Sequence, residues 1–390
     1  MEMFNLWILD GVDSVGGNKI ALTRNGEGIF LDFGVNMKRK RAYEVSYRVL
    51  AIANKMFYHL YSEILPRIRG IYRSDLIELD ERVAEMLANQ PAAFGFLVED
   101  ASLAYTGDIR IHGPRRDLTE RFLEMVRGVD YLLIEGTRID TSTNISEENV
   151  LKRIGEYIAE KPGKFACIIV SSTDLDRVRG IIEIARRLGR TPILSPRLAY
   201  LIDKLMETGS KITLPNLKNV CIYFERRSLR GGGYDLSPRH YRRWMREVYE
   251  SRLDGKKDGE LRKAEEISKD QGRYVLIANS LDYVLEIAQI RPDPGSRLIV
   301  STSEPHDEEQ EISWEKFLEW VDLLRLDMRT AHSSGHADRE SLIRIIEEID
   351  PRVVIPIHTE RPYEFQRLRR IGDIRCEVIL PHVSRSIALK

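Results

Sequence analysis

The first third of the chain alternates short apolar runs with turn-forming residues. Residues 19–24 and 28–33 read as strands, and Asn25-Gly26-Glu27 between them gives the backbone the freedom a hairpin turn needs. A helix is expected over residues 43–65, where Val45, Val49, Ile52, Met56, Leu60 and Ile64 recur at threes and fours and so share one buried face. A second hairpin follows, residues 94–99 and 103–105 around Asp100-Ala101-Ser102. From Asp117 the pattern changes to apolar β-branched runs separated by longer amphipathic stretches, the rhythm of βαβ units around a parallel sheet. The predicted strands are 131–134, 166–170, 220–224, 274–278, 297–300 and 353–357. Helices are predicted at 147–158 and 175–188, introduced by the caps Ser146 and Asp174. Residues 229–233, with three consecutive glycines, and the polar stretch 254–271 break this rhythm and are expected to be mobile surface segments. Their place in the middle third predicts a separate lobe inserted into a larger fold.

No apolar run approaches the roughly 20 residues of a membrane span. The start of the sequence lacks a basic region followed by a long apolar stretch, so a cytoplasmic protein without a membrane partner is expected. Cys167, Cys221 and Cys376 lie far apart without CxxC spacing and read as buried free thiols. Sixty Lys plus Arg stand against sixty-one Asp plus Glu, which excludes a polyanion binder by bulk charge; any nucleic-acid surface must be local. One such patch exists. Arg226, Arg227, Arg230, Arg239, Arg242, Arg243 and Arg246 face a single acid, Asp235, with Tyr234, Tyr241 and Trp244 interleaved. Arginines that hold phosphates beside rings that stack bases suit single-stranded nucleic acid, although a solvated helix face would share the composition.

Four segments place a carboxylate or imidazole just after a strand, where a loop presents it to a cleft. They are Tyr105-Thr106-Gly107-Asp108, Leu133-Ile134-Glu135-Gly136-Thr137, Ser333-Ser334-Gly335-His336-Ala337-Asp338 and Ile355-Pro356-Ile357-His358-Thr359-Glu360. Singly, each residue is open to a structural role, Asp108 and Glu135 as helix caps and the histidines as hydrogen-bonded strand ends. In this order they resemble the β-CASP branch of the metallo-β-lactamase fold, the ribonuclease J group. Ser14-Val15-Gly16-Gly17-Asn18 and Leu31-Asp32-Phe33-Gly34 are similar to that family's first hairpin, and Asp174-Leu175-Asp176-Arg177-Val178 to the start of its β-CASP lobe.

The resemblance implies an α/β fold: a metallo-β-lactamase αββα sandwich, shortened in its first half, carrying an inserted α/β β-CASP lobe. The expected divisions are 1–164 and 296–390 for the sandwich and 165–295 for the lobe. It implies hydrolysis of RNA phosphodiester bonds with two zinc ions. Asp108 would bridge the metals and His358 would ligate one. Ser334, Gly335 and His336 would meet the scissile phosphate, and Glu135 would orient a ligand.

The family's HxHxDH segment, which carries most of its zinc ligands, is absent from the sequence. Residues 80–93 stand where it would fall and contain no histidine, and Ala88 occupies the place of a further ligating histidine. Asp108 and His358 alone do not meet the three protein ligands of a catalytic zinc. Two readings follow: a ribonuclease with an impaired metal centre, or a non-catalytic RNA-binding or scaffold relative. The missing strands would also leave a sheet edge for a partner or a second copy to cover, which makes a homo-oligomer an expectation.

Overall fold

The computed structural model describes residues 4–25, 27–36, 58, 101–142, 145–209, 213–227, 233–302, 308–383 and 385–389. The helix expected over 43–65, the strand expected over 94–99, residues 80–93 and Arg230 lie outside these. The chain divides into two compact units, unit 1 (Met1–Asn144 with Gly335–Lys390) and unit 2 (Ile145–Ser334).

Unit 1 contains an antiparallel sheet in the order β15-β1-β2-β3, formed by Ser386–Leu389, Phe4–Asp10, Lys19–Arg24 and Glu27–Phe33. Its second sheet, β14-β13-β5-β4, is parallel and comprises Glu377–Val378, Val353–Ile357, Tyr131–Glu135 and Leu103–Tyr105. The period of two in the central strands sorts their side chains between two cores. Tyr131, Leu133, Val353, Ile355 and Ile357 pack with Phe4, Leu6, Ile8, Ile20 and Leu22 of the antiparallel sheet. Leu132, Ile134 and Val354 meet α1 (Arg116–Met125), α9 (Arg339–Ile349) and α10 (Tyr363–Ile371) through Leu123, Ile345, Ile346, Ile349, Phe365 and Leu368. Burial on both faces is why these strands are apolar at every position rather than at alternate ones. Each such buried side chain contributes roughly 1.5–3 kcal/mol. This arrangement of two sheets and helices is compatible with a metallo-β-lactamase fold.

Unit 2 is a seven-stranded parallel sheet, β12-β11-β6-β10-β7-β8-β9. The inner strands are β6 (Ala166–Val170), β10 (Tyr274–Ala278) and β11 (Arg297–Ser301), with β7 (Thr191–Leu194) and β8 (Cys221–Tyr223) beyond them. Strands β12 (Asp327–Thr330) and β9 (Glu260–Arg262) form the edges. One face is covered by α2 (Glu147–Ala159), α3 (Leu175–Arg187), α4 (Pro196–Glu207) and α5 (Arg243–Leu253). The other is covered by α6 (Ala264–Lys269), α7 (Val284–Ile290) and α8 (Glu308–Leu323). Ser146 and Asp174 cap α2 and α3 by accepting from the backbone N–H of Asn149 and Arg177.

Unit 2 runs from 145 to 334: Val150, Ile154 and Ile158 of α2 share a core with α3, and β11 pairs with β6. One expectation changes. Residues 254–271 contain an edge strand and α6 rather than only a mobile segment, since Ala264 and Ile267 anchor that helix in the core. Cys167 and Cys221 are buried as expected, whereas Cys376 is half-buried.

A buried ionic knot ties the end of β8 to α7. Tyr283 Oη donates to Glu225 Oε1 at 2.6 Å, and Arg227 pairs with Glu225 and lies 3.9 Å from Glu286. Burial, then repulsion from Glu225, pushes the Glu286 carboxyl from its ordinary 4.5 up to about 7. A folded-state value above the unfolded one means that stability is full below pH 4.5 and is lost as pH rises through about 7. Urea unfolding at pH 5 and pH 8 should show the wild type losing roughly 1–3 kcal/mol across that window. Glu286→Gln should lose much less.

Candidate metal centre

The chemistry-bearing residues of unit 1 collect at the carboxyl ends of its parallel strands, the end at which α/β sheets characteristically place ligands. Asp108 lies in the loop after β4, Glu135 is the last residue of β5, and His358 immediately follows β13. His336 precedes α9, whose N-cap Asp338 accepts from the Ser341 N–H at 2.9 Å. The His336 loop is held against the other strand ends. Ala337 N–H donates to Ile109 O at 2.8 Å, and Arg339 N–H to Thr141 O at 2.9 Å.

Glu135 is the buried base of the cluster, 1% exposed. Its Oε1 accepts from the Ile109 N–H at 2.8 Å, and its Oε2 lies 2.7 Å from His336 Nδ1. Burial works against charge on His336, but the hydrogen bond and field of Glu135, with Asp108, hold its pKa above the usual value. His358 moves the other way, lowered by burial and by the neighbouring His336 against the opposing pull of Asp108 and Glu135. The two rings stack with centroids 5.6 Å apart. His358 Nε2 lies 3.7 Å from Asp108 Oδ1, and the Asp108 side chain is 59% exposed.

His358 adopts φ +50°, a left-handed conformation that a side chain with a Cβ rarely takes. Its loop is tied down on several sides. His358 N–H donates to Gly11 O at 3.0 Å, Thr137 Oγ1 to His358 O at 3.3 Å, and Thr359 Oγ1 to Gly136 O at 2.8 Å. Gly136 must be glycine, because a Cβ there would stand 2.6 Å from the Phe365 ring. Backbone strain held in place by surrounding contacts is characteristic of functional sites.

Asp108, His336 and His358 offer donor atoms that all lie within 4.8 Å of one another. That number suits one catalytic ion with open positions for water and substrate. Among the described residues no further group of three or more such side chains is found.

Against known proteins, residues 324–376 match the family model described as the Zn-dependent metallo-hydrolase RNA specificity domain. The matched stretch spans His336 and His358, and the family it is similar to is described as zinc-dependent and RNA-specific. No curated protein matches the chain. Over its whole length the chain is similar in structure to a protein of unknown function from Enterococcus faecalis V583, with a TM-score of 0.67 and 17% identity, covering 100% of both chains. At that identity the likeness shows a shared fold.

The other predicted residues are distributed as follows. Ser334 is half-buried in unit 2 and Gly335 is exposed in unit 1. In the arginine-rich stretch, Arg226, Arg227, Arg239, Arg242 and Arg243 are exposed, and Arg227 is also engaged by Glu225. Tyr241, expected as a base-stacking ring, lies in the core of unit 2. It is 1% exposed, its Oη donates to Glu225 O at 2.7 Å, and its ring packs edge-on against Tyr249. Trp244 is half-buried, beside Tyr200 and beneath the Arg197 guanidinium. Tyr241 precedes the N-cap of α5 and packs in the same core as Met245 and Val248, so no helical period in the sequence marks it. Asn18 and Gly16 meet the His358 ring, and in the sequence they carry only the resemblance to a first hairpin; nothing in a single sequence joins residues 340 positions apart. Among the described residues, no helix is long and apolar enough to cross a membrane.

Proposed function

We propose that the chain hydrolyses phosphodiester bonds in RNA, in the manner of ribonuclease J, at the cluster Asp108–Glu135–His336–His358. The observation that carries this reading is the convergence of three metal-competent side chains within 4.8 Å, above a buried carboxylate that orients one of them. The RNA-specificity match over 324–376 adds the substrate class. Asp108 with one or both histidines would hold the ion. A divalent ion bound there supplies polarisation of the phosphoryl group and a nucleophile near neutral pH. Glu135 fixes the His336 ring, and Asp108, the most exposed of the set, stands where water and substrate reach it. A 5′-phosphorylated single-stranded RNA, assayed with zinc or manganese, tests the proposal. Cleavage that EDTA abolishes is the expected result.

Exposed Arg239, Arg242 and Arg243 would hold the RNA backbone. Arg243 opens α5 and Arg242 is its N-cap, with no side-chain cap hydrogen bond. Cations at the positive end of a helix dipole oppose folding, so their presence favours a binding role. RNA affinity should fall steeply with salt, and replacing both Arg242 and Arg243 by Ala should make the log–log salt slope shallower by about 1.4. An unchanged slope removes these residues from the RNA path.

The absence of HxHxDH favours a second reading, a catalytically inactive RNA-binding or scaffold relative. Binding without cleavage in the same assay selects it. Two zinc ions per chain, retained through dialysis, would overturn the idea of an impaired centre.

A further inference from the structure

With Tyr241 in the core, the arginine-rich stretch lacks the ring that was expected to meet bases, and α4 supplies a different arrangement beside it. We infer that the Arg197 guanidinium, resting on the Trp244 ring, is a stacking platform for the bases of single-stranded RNA, next to Arg242 and Arg243, which hold its phosphates. The proposal rests on the RNA-binding reading above and adds what meets the bases.

The charges come first. Helices α4 and α5 share a core through Leu198, Ala199 and Ile202 of the one and Met245 and Val248 of the other. They carry four acids between them, and each acid already has a cation. Arg252 donates to Asp203 at 2.6 and 2.9 Å, Glu207 pairs with Lys204 and Lys257, Glu247 pairs with Lys204, and Glu250 lies 3.8 Å from Arg246. Arg197, Arg242 and Arg243 are left over. All three are exposed, and among the described residues none of them meets a carboxylate. They stand together where the two helices begin, Arg197 as the second residue of α4 and Arg243 as the first of α5. Cations there oppose both helix dipoles, a cost that a bound polyanion offsets. The chain has a formal net charge of −1, so this excess attracts by position and not by bulk charge.

A patch for phosphates alone needs only those charges; the rings beside them suit a base. Arg197 Cζ lies 5.6 Å from the centroid of the Trp244 ring, within cation–π reach. The Tyr200 ring stands 5.5 Å from Trp244, and Lys204 Nζ lies 5.5 Å from the Tyr200 centroid. Arg197, Tyr200 and Lys204 are three and four residues apart on α4 and so share a face. Cation and ring therefore alternate from Arg197 through Trp244 and Tyr200 to Lys204. Both rings are half-buried and packed against the core of unit 2, which leaves them little freedom to lose when a base arrives. Unpaired bases stack on arginine planes as well as on aromatic rings. Lys204 is held by two carboxylates, so the end of the row that remains for RNA is Arg197 with Trp244.

The test is fluorescence anisotropy of the full chain with a labelled uridine RNA of about 12 nucleotides and with a strand of equal length that lacks its bases. EDTA in the buffer keeps cleavage out of the readout. The wild type should bind the base-bearing strand about tenfold more tightly, or better. Arg197→Lys keeps the charge but not the plane, so it should cut that preference to about threefold or less and leave the log–log salt slope unchanged. Trp244→Leu should do the same. Replacing Arg242 and Arg243 by Ala should do the opposite, a shallower salt slope with the preference intact. Arg197 is exposed, so its variant decides the matter if the Trp244 variant does not fold. Equal affinity of the wild type for both strands, or an Arg197→Lys protein with the wild-type preference, overturns the platform and leaves phosphate binding in place. A wild type that binds neither strand removes the platform and the RNA-binding reading together.

Discussion

Asp108→Ala should lower RNA cleavage by about 10³-fold or more, while the melting temperature stays within a few degrees of wild type. The two halves of this expectation have different origins. Asp108 sits on an exposed loop, with its side chain 59% accessible and no core contact to lose, so its removal leaves no cavity. Its carboxylate is nonetheless the only acidic donor in the three-residue group, and without it the group keeps only two imidazoles. A loss of 10³ corresponds to about 4 kcal/mol of transition-state stabilisation, the scale of a metal contribution to charge development. Asp108→Asn separates charge from shape, because it preserves the side-chain volume but is a poor metal donor; it should be nearly as inactive. Asp108→Ala activity within tenfold of wild type would remove the cluster as the seat of the reaction.

How much of this was legible in the sequence depends on burial. Strands Ala166–Val170, Tyr274–Ala278 and Val353–Ile357 coincide with the expected ranges, because a strand covered on both faces must be apolar at every position and so stands out from its surroundings. Several of the strands that did not stand out are at sheet edges, and one contains a proline. Asp327–Thr330 and Glu260–Arg262 are short and charged, as edge strands tend to be, and Thr191–Leu194 includes Pro192. The first strand, Phe4–Asp10, buries only alternate residues, and its partners lie at residues 19–24 and 386–389. In the site, the positions of Asp108, Glu135 and His358 could be read because each comes at or just after an apolar run. The partners that set the chemistry of each ring could not. The Glu135–His336 contact spans 201 positions and the Asn18–His358 contact 340, and only the fold brings them together.

Arg177→Ala should destabilise unit 2 by about 3–5 kcal/mol, the largest stability loss expected from a single change outside the site. The Arg177 side chain is 1% exposed and spends all three nitrogens on buried partners. Nε and Nη2 engage Glu147 at 3.1 and 2.5 Å, Nη2 also lies 3.2 Å from Asp174, and Nη1 donates to Ser301 O at 2.8 Å and to His332 Nδ1 at 3.2 Å. An intact buried pair is weak evidence of stability, because desolvation cancels much of its attraction; the cost comes from removing one side of it. Alanine takes the guanidinium away from the Glu147 carboxylate, itself 6% exposed, and leaves the Ser301 carbonyl without its donor. Lysine carries the charge but not the planar fork, so Arg177→Lys should recover only part of the loss. The double change Arg177→Met with Glu147→Met removes both charges and should be closer to wild type than Arg177→Ala. Urea unfolding of the four proteins measures this. If Arg177→Ala cost less than about 1 kcal/mol, water would have to reach Glu147 in the folded state, and the guanidinium would not be what joins α2, α3 and the end of β11.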